Sequence, residues 1–169
     1  MKKLKVLFSE KKIKNKINKI AKLINKDFKN KNLVIVSILS GSVVFCSDII
    51  RKLNIDFEID FIRVASYKGK KSLGKIRLLC DTLSNIKGKD VLLIEDICDT
   101  GKTLSYIKNL FLKKKVNSVK FCVLIDKKIK KCKDFKIDYC GFKISDDFVV
   151  GYGLDYNGKY RGLPYIGFI

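Results

Sequence analysis

The sequence predicts an α/β domain with a mostly parallel central sheet flanked by helices. Three observations carry this. Short apolar runs rich in β-branched residues recur at 33–39, 91–94 and 119–125, as expected of strands buried on both faces. Between them lie stretches whose apolar residues fall at helical spacing. The two patterns alternate along the chain, and alternating strand and helix give parallel sheets. In such sheets ligands bind outside the carboxyl ends of the strands, so the candidate sites are the residues just after each run.

Taken in order, residues 10–28 place Ile13, Ile17, Ile20, Ile24 and Phe28 on one helical face with lysines between them, and Ser9 can cap the start. Such a basic amphipathic helix suits a covering helix on the sheet better than a membrane-surface segment. The strand 33–39 stops at Ser40-Gly41-Ser42, and Val43, Val44, Cys46, Ile49, Ile50 and Leu53 continue as a helix. Residues 57–64 alternate in part and read as the next strand. Residues 66–75 carry two glycines and four lysines without an apolar period, the composition of an exposed, mobile loop. A strand returns at 76–80, and Gly88-Lys89-Asp90 turns the chain into the run at 91–94. Leu104, Ile107, Leu110 and Phe111 mark a helix, 119–125 a further buried strand, and 127–136 a basic connection. Residues 148–153 read as a short strand and a glycine-rich turn, and the tail 165–169 as an edge strand. There is no internal repeat and no linker, so residues 1–169 are expected to form one domain.

Composition narrows the function. The 169 residues hold no histidine, which excludes a Ser–His triad, histidine acid–base chemistry and the usual mixed zinc sites. Proton transfer falls to carboxylates, Lys, Tyr or Cys. None of the six cysteines forms a Cys-x-x-Cys pair, and reduced thiols are expected. No run approaches the ~20 apolar residues of a membrane helix, and no apolar stretch of ~7–15 residues follows the lysine-rich start as in a secretory signal. A cytoplasmic protein with no membrane partner is expected. The net charge of +20 arises from 37 Lys+Arg against 17 Asp+Glu. The lysines are spread along the chain and greatly outnumber arginines, so an anionic small-molecule substrate is favoured over nucleic acid as their partner.

The stretch Val91-Leu92-Leu93-Ile94-Glu95-Asp96-Ile97-Cys98-Asp99-Thr100-Gly101-Lys102-Thr103-Leu104 concentrates the chemistry. An apolar strand leads into three carboxylates and then into Thr-Gly-Lys-Thr at a helix start. Free amides there bind anions, and Gly101 lets the backbone approach closely. A Walker loop is excluded, because Asp96 stands where its first glycine belongs. The tetrapeptide alone fits a monophosphate cradle and an ordinary helix cap equally well. Adjacent acids at a strand end suit a ribose diol or hydrated Mg²⁺. Asp99, close to the phosphate loop, can accept a proton from a substrate nitrogen.

This stretch resembles the phosphoribosyl pyrophosphate signature of type I phosphoribosyltransferases. The wider chain resembles their hypoxanthine(-guanine) branch. The further matches are Leu39-Ser40-Gly41-Ser42, Ala65-Ser66-Tyr67, Leu124-Ile125-Asp126-Lys127, Phe148-Val149-Val150-Gly151-Tyr152-Gly153-Leu154-Asp155-Tyr156, Arg161 and Leu163-Pro164-Tyr165-Ile166-Gly167. They run in order over nearly the whole chain, and the segment starting at Phe148 selects the 6-oxopurine branch. The resemblance implies a small hood region and a mobile lid added to the sheet. It implies transfer of the phosphoribosyl group to hypoxanthine, and also guanine, giving IMP or GMP and pyrophosphate, with Mg²⁺ and in a homodimer or homotetramer.

The resemblance also assigns roles. Asp99 is the general base. Glu95 and Asp96 hold the ribose hydroxyls and can contact the metal. Thr100, Gly101, Lys102 and Thr103 cradle the 5′-phosphate. Lys127 donates to the 6-oxo group, Phe148 stacks on the base and Val149 meets its edge through the backbone. Asp155 is a Mg²⁺ ligand, Ser40, Gly41 and Arg161 bind pyrophosphate, and Ser66 and Tyr67 head the lid. Without the resemblance, Lys127 would be one more lysine in a basic turn, and Phe148 and Val149 plain core. One departure stands out: Ser40 occupies a position where the family usually carries a basic residue. The family also has a cis peptide before the loop glycine. Two other readings remain open: a xanthine- or guanine-preferring enzyme, and a nucleic-acid-binding regulator on the same fold. The base-side residues argue against the regulator.

Overall fold

The computed structural model describes residues 4–66, 76–128 and 136–169. In chain order the elements are β1 (Lys5–Phe8), α1 (Glu10–Asp27), β2 (Leu33–Leu39), α2 (Val43–Ile50), β3 (Glu58–Ser66) and β4 (Ile76–Cys80). There follow β5 (Asp90–Cys98), α3 (Lys102–Lys113), β6 (Ser118–Lys127), β7 (Tyr139–Ile144), β8 (Val149–Val150) and β9 (Ile166–Phe168). Six strands form the main sheet in the order β4-β3-β2-β5-β6-β7. All its pairs are parallel except β3–β4, the antiparallel edge that returns from residues 67–75.

The helices cover both faces of this sheet. α1 buries Ile13, Ile17, Ile20 and Ile24, the stripe the sequence presents, and Ser9 caps it by accepting from the Lys12 amide at 3.4 Å. With Phe45, Cys46 and Ile49 of α2 these residues pack on Ile35, Leu92, Ile94, Cys122 and Leu124. On the opposite face, Leu104, Ile107 and Phe111 of α3 pack on Val34, Val36, Val91, Leu93 and Val123. Each central strand thus feeds two cores, which is why it reads as continuously apolar.

A second sheet, in the order β1-β9-β8, is small and antiparallel. It is the hood that the resemblance implies, and β1 contributes to it although nothing in the lysine-rich start signals a strand. The tail strand β9 is its middle strand rather than an edge. β5 also runs further than the apolar run, through Glu95 and Asp96 to Cys98. β7 was not foreseen either. Gly141 interrupts its apolar pattern, and a Cβ there would stand 2.3 Å from the Leu124 carbonyl oxygen; the glycine is the mark of close strand approach. Ser66 ends β3, whereas Tyr67 and the lid lysines Lys68, Lys70, Lys71 and Lys75 lie outside the described residues. Cys46, Cys80 and Cys122 are free thiols. No described helix is long and apolar enough to cross a membrane.

Candidate active site

Three connections meet at the carboxyl edge of the main sheet. The first leaves β5. Cys98 pairs with Asp126 on β6, so Asp99, the first residue beyond β5, leaves the sheet at the level of Lys127. Gly101 adopts φ 80°, a left-handed conformation that glycine takes without strain, and starts α3 with no side-chain cap. A cavity of about 70 Å³ sits there, lined by Glu95, Asp99, Thr100, Gly101, Lys102 and Thr103 among others. First-turn amides, two threonine hydroxyls and a lysine around a space of this size fit one small oxyanion. Both uses the tetrapeptide allowed fit this geometry: the Lys102 amide donates to the Thr100 hydroxyl at 3.5 Å, and the cavity lies beside it.

The second connection follows β2. Ser42 is buried and fixed from within, its hydroxyl donating to the Ile38 carbonyl at 2.5 Å and lying 2.7 Å from the Ser37 hydroxyl. The Leu39–Ser40 peptide is cis. Gly41 is wedged between two other parts of the site. A Cβ on it would lie 1.7 Å from the Asp96 carboxylate, and a Cβ on Gly153 would lie 2.2 Å from the Gly41 carbonyl oxygen. Arg161 completes the stack, donating to the Gly153 carbonyl at 2.5 Å and pairing with Asp155 at 2.6 Å. Asp155 also accepts from the Gly158 amide at 2.8 Å. Asp96, Gly41, Gly153, Arg161 and Asp155 therefore form one continuous wall.

The third connection is the corner at β6, β7 and β8. Lys127 is largely buried along its stem and pairs with Asp146 at 2.8 Å. Phe148 is 53 % exposed at the start of β8, with the Tyr156 ring edge-on at 5.6 Å, while Val149 is buried. An aromatic left exposed just before a strand is not core; Val149 is.

The acids differ in electrostatics. Burial, and then the neighbouring Asp96 carboxylate, push Glu95 well above the usual carboxylate range. The buried Glu95 therefore keeps its proton to higher pH than an ordinary carboxylate.

The comparisons agree with this geometry. Residues 5–157 match the family model described as the phosphoribosyl transferase domain. The chain belongs to the phosphoribosyltransferase family. It is 46 % identical over 163 residues to a hypoxanthine-guanine phosphoribosyltransferase of Staphylococcus epidermidis, covering 96 % of this chain and 91 % of that one. The crystal structure of a hypoxanthine phosphoribosyltransferase from Staphylococcus aureus superimposes with TM-score 0.93 at 44 % identity, covering 98 % of this chain and 90 % of that one. A hypoxanthine-guanine phosphoribosyltransferase from Bacillus anthracis, crystallised with HEPES in its active site, gives 0.93 at 41 % identity and 99 % coverage of both chains.

Three features of this phosphoribosyltransferase site escaped the sequence reading. Gly153 lay in a recognised segment, but its close approach to Gly41 belongs to tertiary structure. Asp146 lacked a signal beyond standing in an acidic pair before Phe148. Asp48 and Tyr152 were read as part of a helix and a turn, and the structure joins them. Among the described residues no three acids or cysteines come together as a metal cage. The wall does carry the carboxylates of Asp96 and Asp155, a donor set that fits Mg²⁺, which keeps waters and takes one or two protein carboxylates plus substrate oxygens.

Proposed function

We propose that this phosphoribosyltransferase works in purine salvage, transferring the phosphoribosyl group of phosphoribosyl pyrophosphate to hypoxanthine, and also to guanine, with release of pyrophosphate. The observation that carries this is the meeting at one sheet edge of an oxyanion cavity, a glycine-spaced wall with an arginine, and a corner that holds Lys127 and the exposed Phe148. These suit the three parts of such a reaction: 5′-phosphate, pyrophosphate and base.

Thr100, Gly101, Lys102 and Thr103 hold the 5′-phosphate. Asp96, with Glu95 behind it, holds the ribose hydroxyls. The glycosidic carbon develops positive charge as pyrophosphate leaves, and the Asp96 carboxyl is set to stabilise it. Ser40 and Gly41 offer backbone to the leaving group and Arg161 offers a fork of donors. Mg²⁺, held by Asp155 and contacted by Asp96 and Glu95, would neutralise pyrophosphate charge. On the base side Phe148 stacks, Val149 meets the edge through its backbone, and Lys127 donates to the 6-oxo group, a contact that rejects 6-aminopurines. Asp99, level with Lys127, takes the proton from the five-membered ring. Ser66 and Tyr67 head the lid that excludes water.

Residues 1–169 act as one catalytic domain, and the assembly is a homodimer or homotetramer. Its support is a bare sheet face: Ile59 and Phe61 alternate with the buried Asp60 and Ile62, and both are exposed.

The test is a spectrophotometric assay with phosphoribosyl pyrophosphate, Mg²⁺ and each of hypoxanthine, guanine, xanthine and adenine. Nucleotide is expected from hypoxanthine and guanine and not from adenine. Failure of every base to react would remove the assignment, and preference for xanthine would shift it within the family.

A further inference from the structure

The pyrophosphate wall is made of two pieces that the chain does not join locally, the loop at Ser40–Ser42 and the turn at 151–155. The turn has an unusual backbone. Gly151, Tyr152 and Gly153 are all left-handed, with φ of 97°, 53° and 98°. Glycine accepts this freely, but tyrosine does so only where surroundings hold it there. The Tyr152 and Gly153 amides donate to the Leu163 and Arg161 carbonyls, each at 2.9 Å. This conformation turns the Tyr152 side chain away from the substrate side and back onto α2, where its hydroxyl donates to the Asp48 carboxylate. The other Asp48 oxygen pairs with Arg51. Tyr152 is 5 % exposed. Burial, and then the bond to Asp48, raise its pKa far above the ordinary phenol value, so it remains a donor at any working pH.

α2 begins directly after Ser42, so whatever grips Asp48 grips the loop. We propose that Tyr152 and Asp48 are a positioning pair that fixes the turn bearing Asp155, and the Arg161 strapped to it, against the pyrophosphate loop. Neither side chain touches substrate. Both line a groove of about 550 Å³ behind the wall, together with Val44, Arg51, Arg161 and Leu163. Losing the phenol–carboxylate bond frees the Gly153–Gly41 contact to open, with Arg161 and the loop backbone drifting apart. The loss falls on pyrophosphate, whose donors come from both pieces, and spares the 5′-phosphate and base, whose donors come from neither.

This rests on the reading of that wall as pyrophosphate-binding, and the experiment separates the two. Calorimetry measures the binding of IMP alone and of pyrophosphate with Mg²⁺, for the wild type, Tyr152→Phe, Asp48→Ala, Asp48→Asn and the double variant Tyr152→Phe/Asp48→Ala. Tyr152→Phe and Asp48→Ala are each expected to weaken pyrophosphate about tenfold, the worth of a hydrogen bond to a charged group, with IMP affinity unchanged. The double variant should be no worse than either single one. Asp48→Asn keeps an acceptor and should recover most of the affinity. Unchanged pyrophosphate affinity in Tyr152→Phe would overturn the pair, as would equal weakening of IMP and pyrophosphate, the mark of a merely structural role. A wild type that binds IMP but no pyrophosphate would instead overturn the reading of the wall.

Discussion

Gly41 has no room for a methyl group, since its Cβ would fall within the Asp96 carboxylate. Gly41→Ala must therefore displace the Asp96 carboxylate or shift the loop that carries Gly41, and either change disturbs the proposed pyrophosphate and ribose contacts. Its KM for phosphoribosyl pyrophosphate is expected to rise at least about tenfold in steady-state assays, one kcal-scale contact being worth that much. Asp99→Asn should behave differently. It keeps the shape of the loop and removes the proposed base, so turnover is expected to fall about 10²–10⁴-fold while that KM barely moves, read under conditions where chemistry limits the rate. Glu95 gives a pH signature. Its carboxyl is raised, so the folded state holds a proton that the unfolded chain has released, and stability is lost as pH rises through the folded-state value. Glu95→Gln removes that dependence. By thermal melts of the apoprotein, its advantage should be absent below about pH 4.3, the unfolded value, and grow above it to about 2–4 °C per kcal/mol recovered.

At the scale of elements, the central strands were legible because each is apolar on both faces, and α1 because its isoleucines recur at helical spacing. β1, β7 and the inner position of β9 were not. They are specified by partners distant in sequence, and β7 carries a glycine that a local pattern scores as a break. The site divides in the same way. Asp99 and Thr100–Thr103 lie on one loop and could be read in a line, whereas the Gly41–Gly153 contact and the Tyr152–Asp48 bond join residues more than a hundred positions apart. Another long-range tie anchors α1 to the far end of the sheet. The Tyr139 hydroxyl donates to Asp27 at 2.7 Å, and Lys120 pairs with the same carboxylate at 2.9 Å. The bond from Tyr139, then that from Lys120, holds Asp27 below its ordinary value. This stability is present above the unfolded carboxylate pKa and is lost as pH falls through the folded one. Tyr139→Phe should lower Tm by a few degrees, about 2–4 °C per kcal/mol, at neutral pH and by less in acid. Its kinetics should be unchanged, because Tyr139 opens β7 at the end of the sheet away from the site.

For the whole molecule, the net charge of +20 suits the polyanionic substrates proposed for the site, since a field of that sign raises their local concentration. The bare face of β3 is the other molecular-scale feature. Light scattering should find a dimer or larger species, and Phe61→Asp, which places a charge on that face, should shift it toward monomer. The central claim is that the sheet's carboxyl edge, with its cavity of about 70 Å³, is the nucleotide site, although the groove behind the wall is several times larger. A crystal structure with IMP bound tests this most directly. The account predicts the phosphate against the amides of residues 101–103 and the purine between Phe148 and Lys127, with its five-membered ring toward Asp99. IMP seated in the groove between α1 and α2, with the Thr100–Thr103 cradle empty, would contradict it.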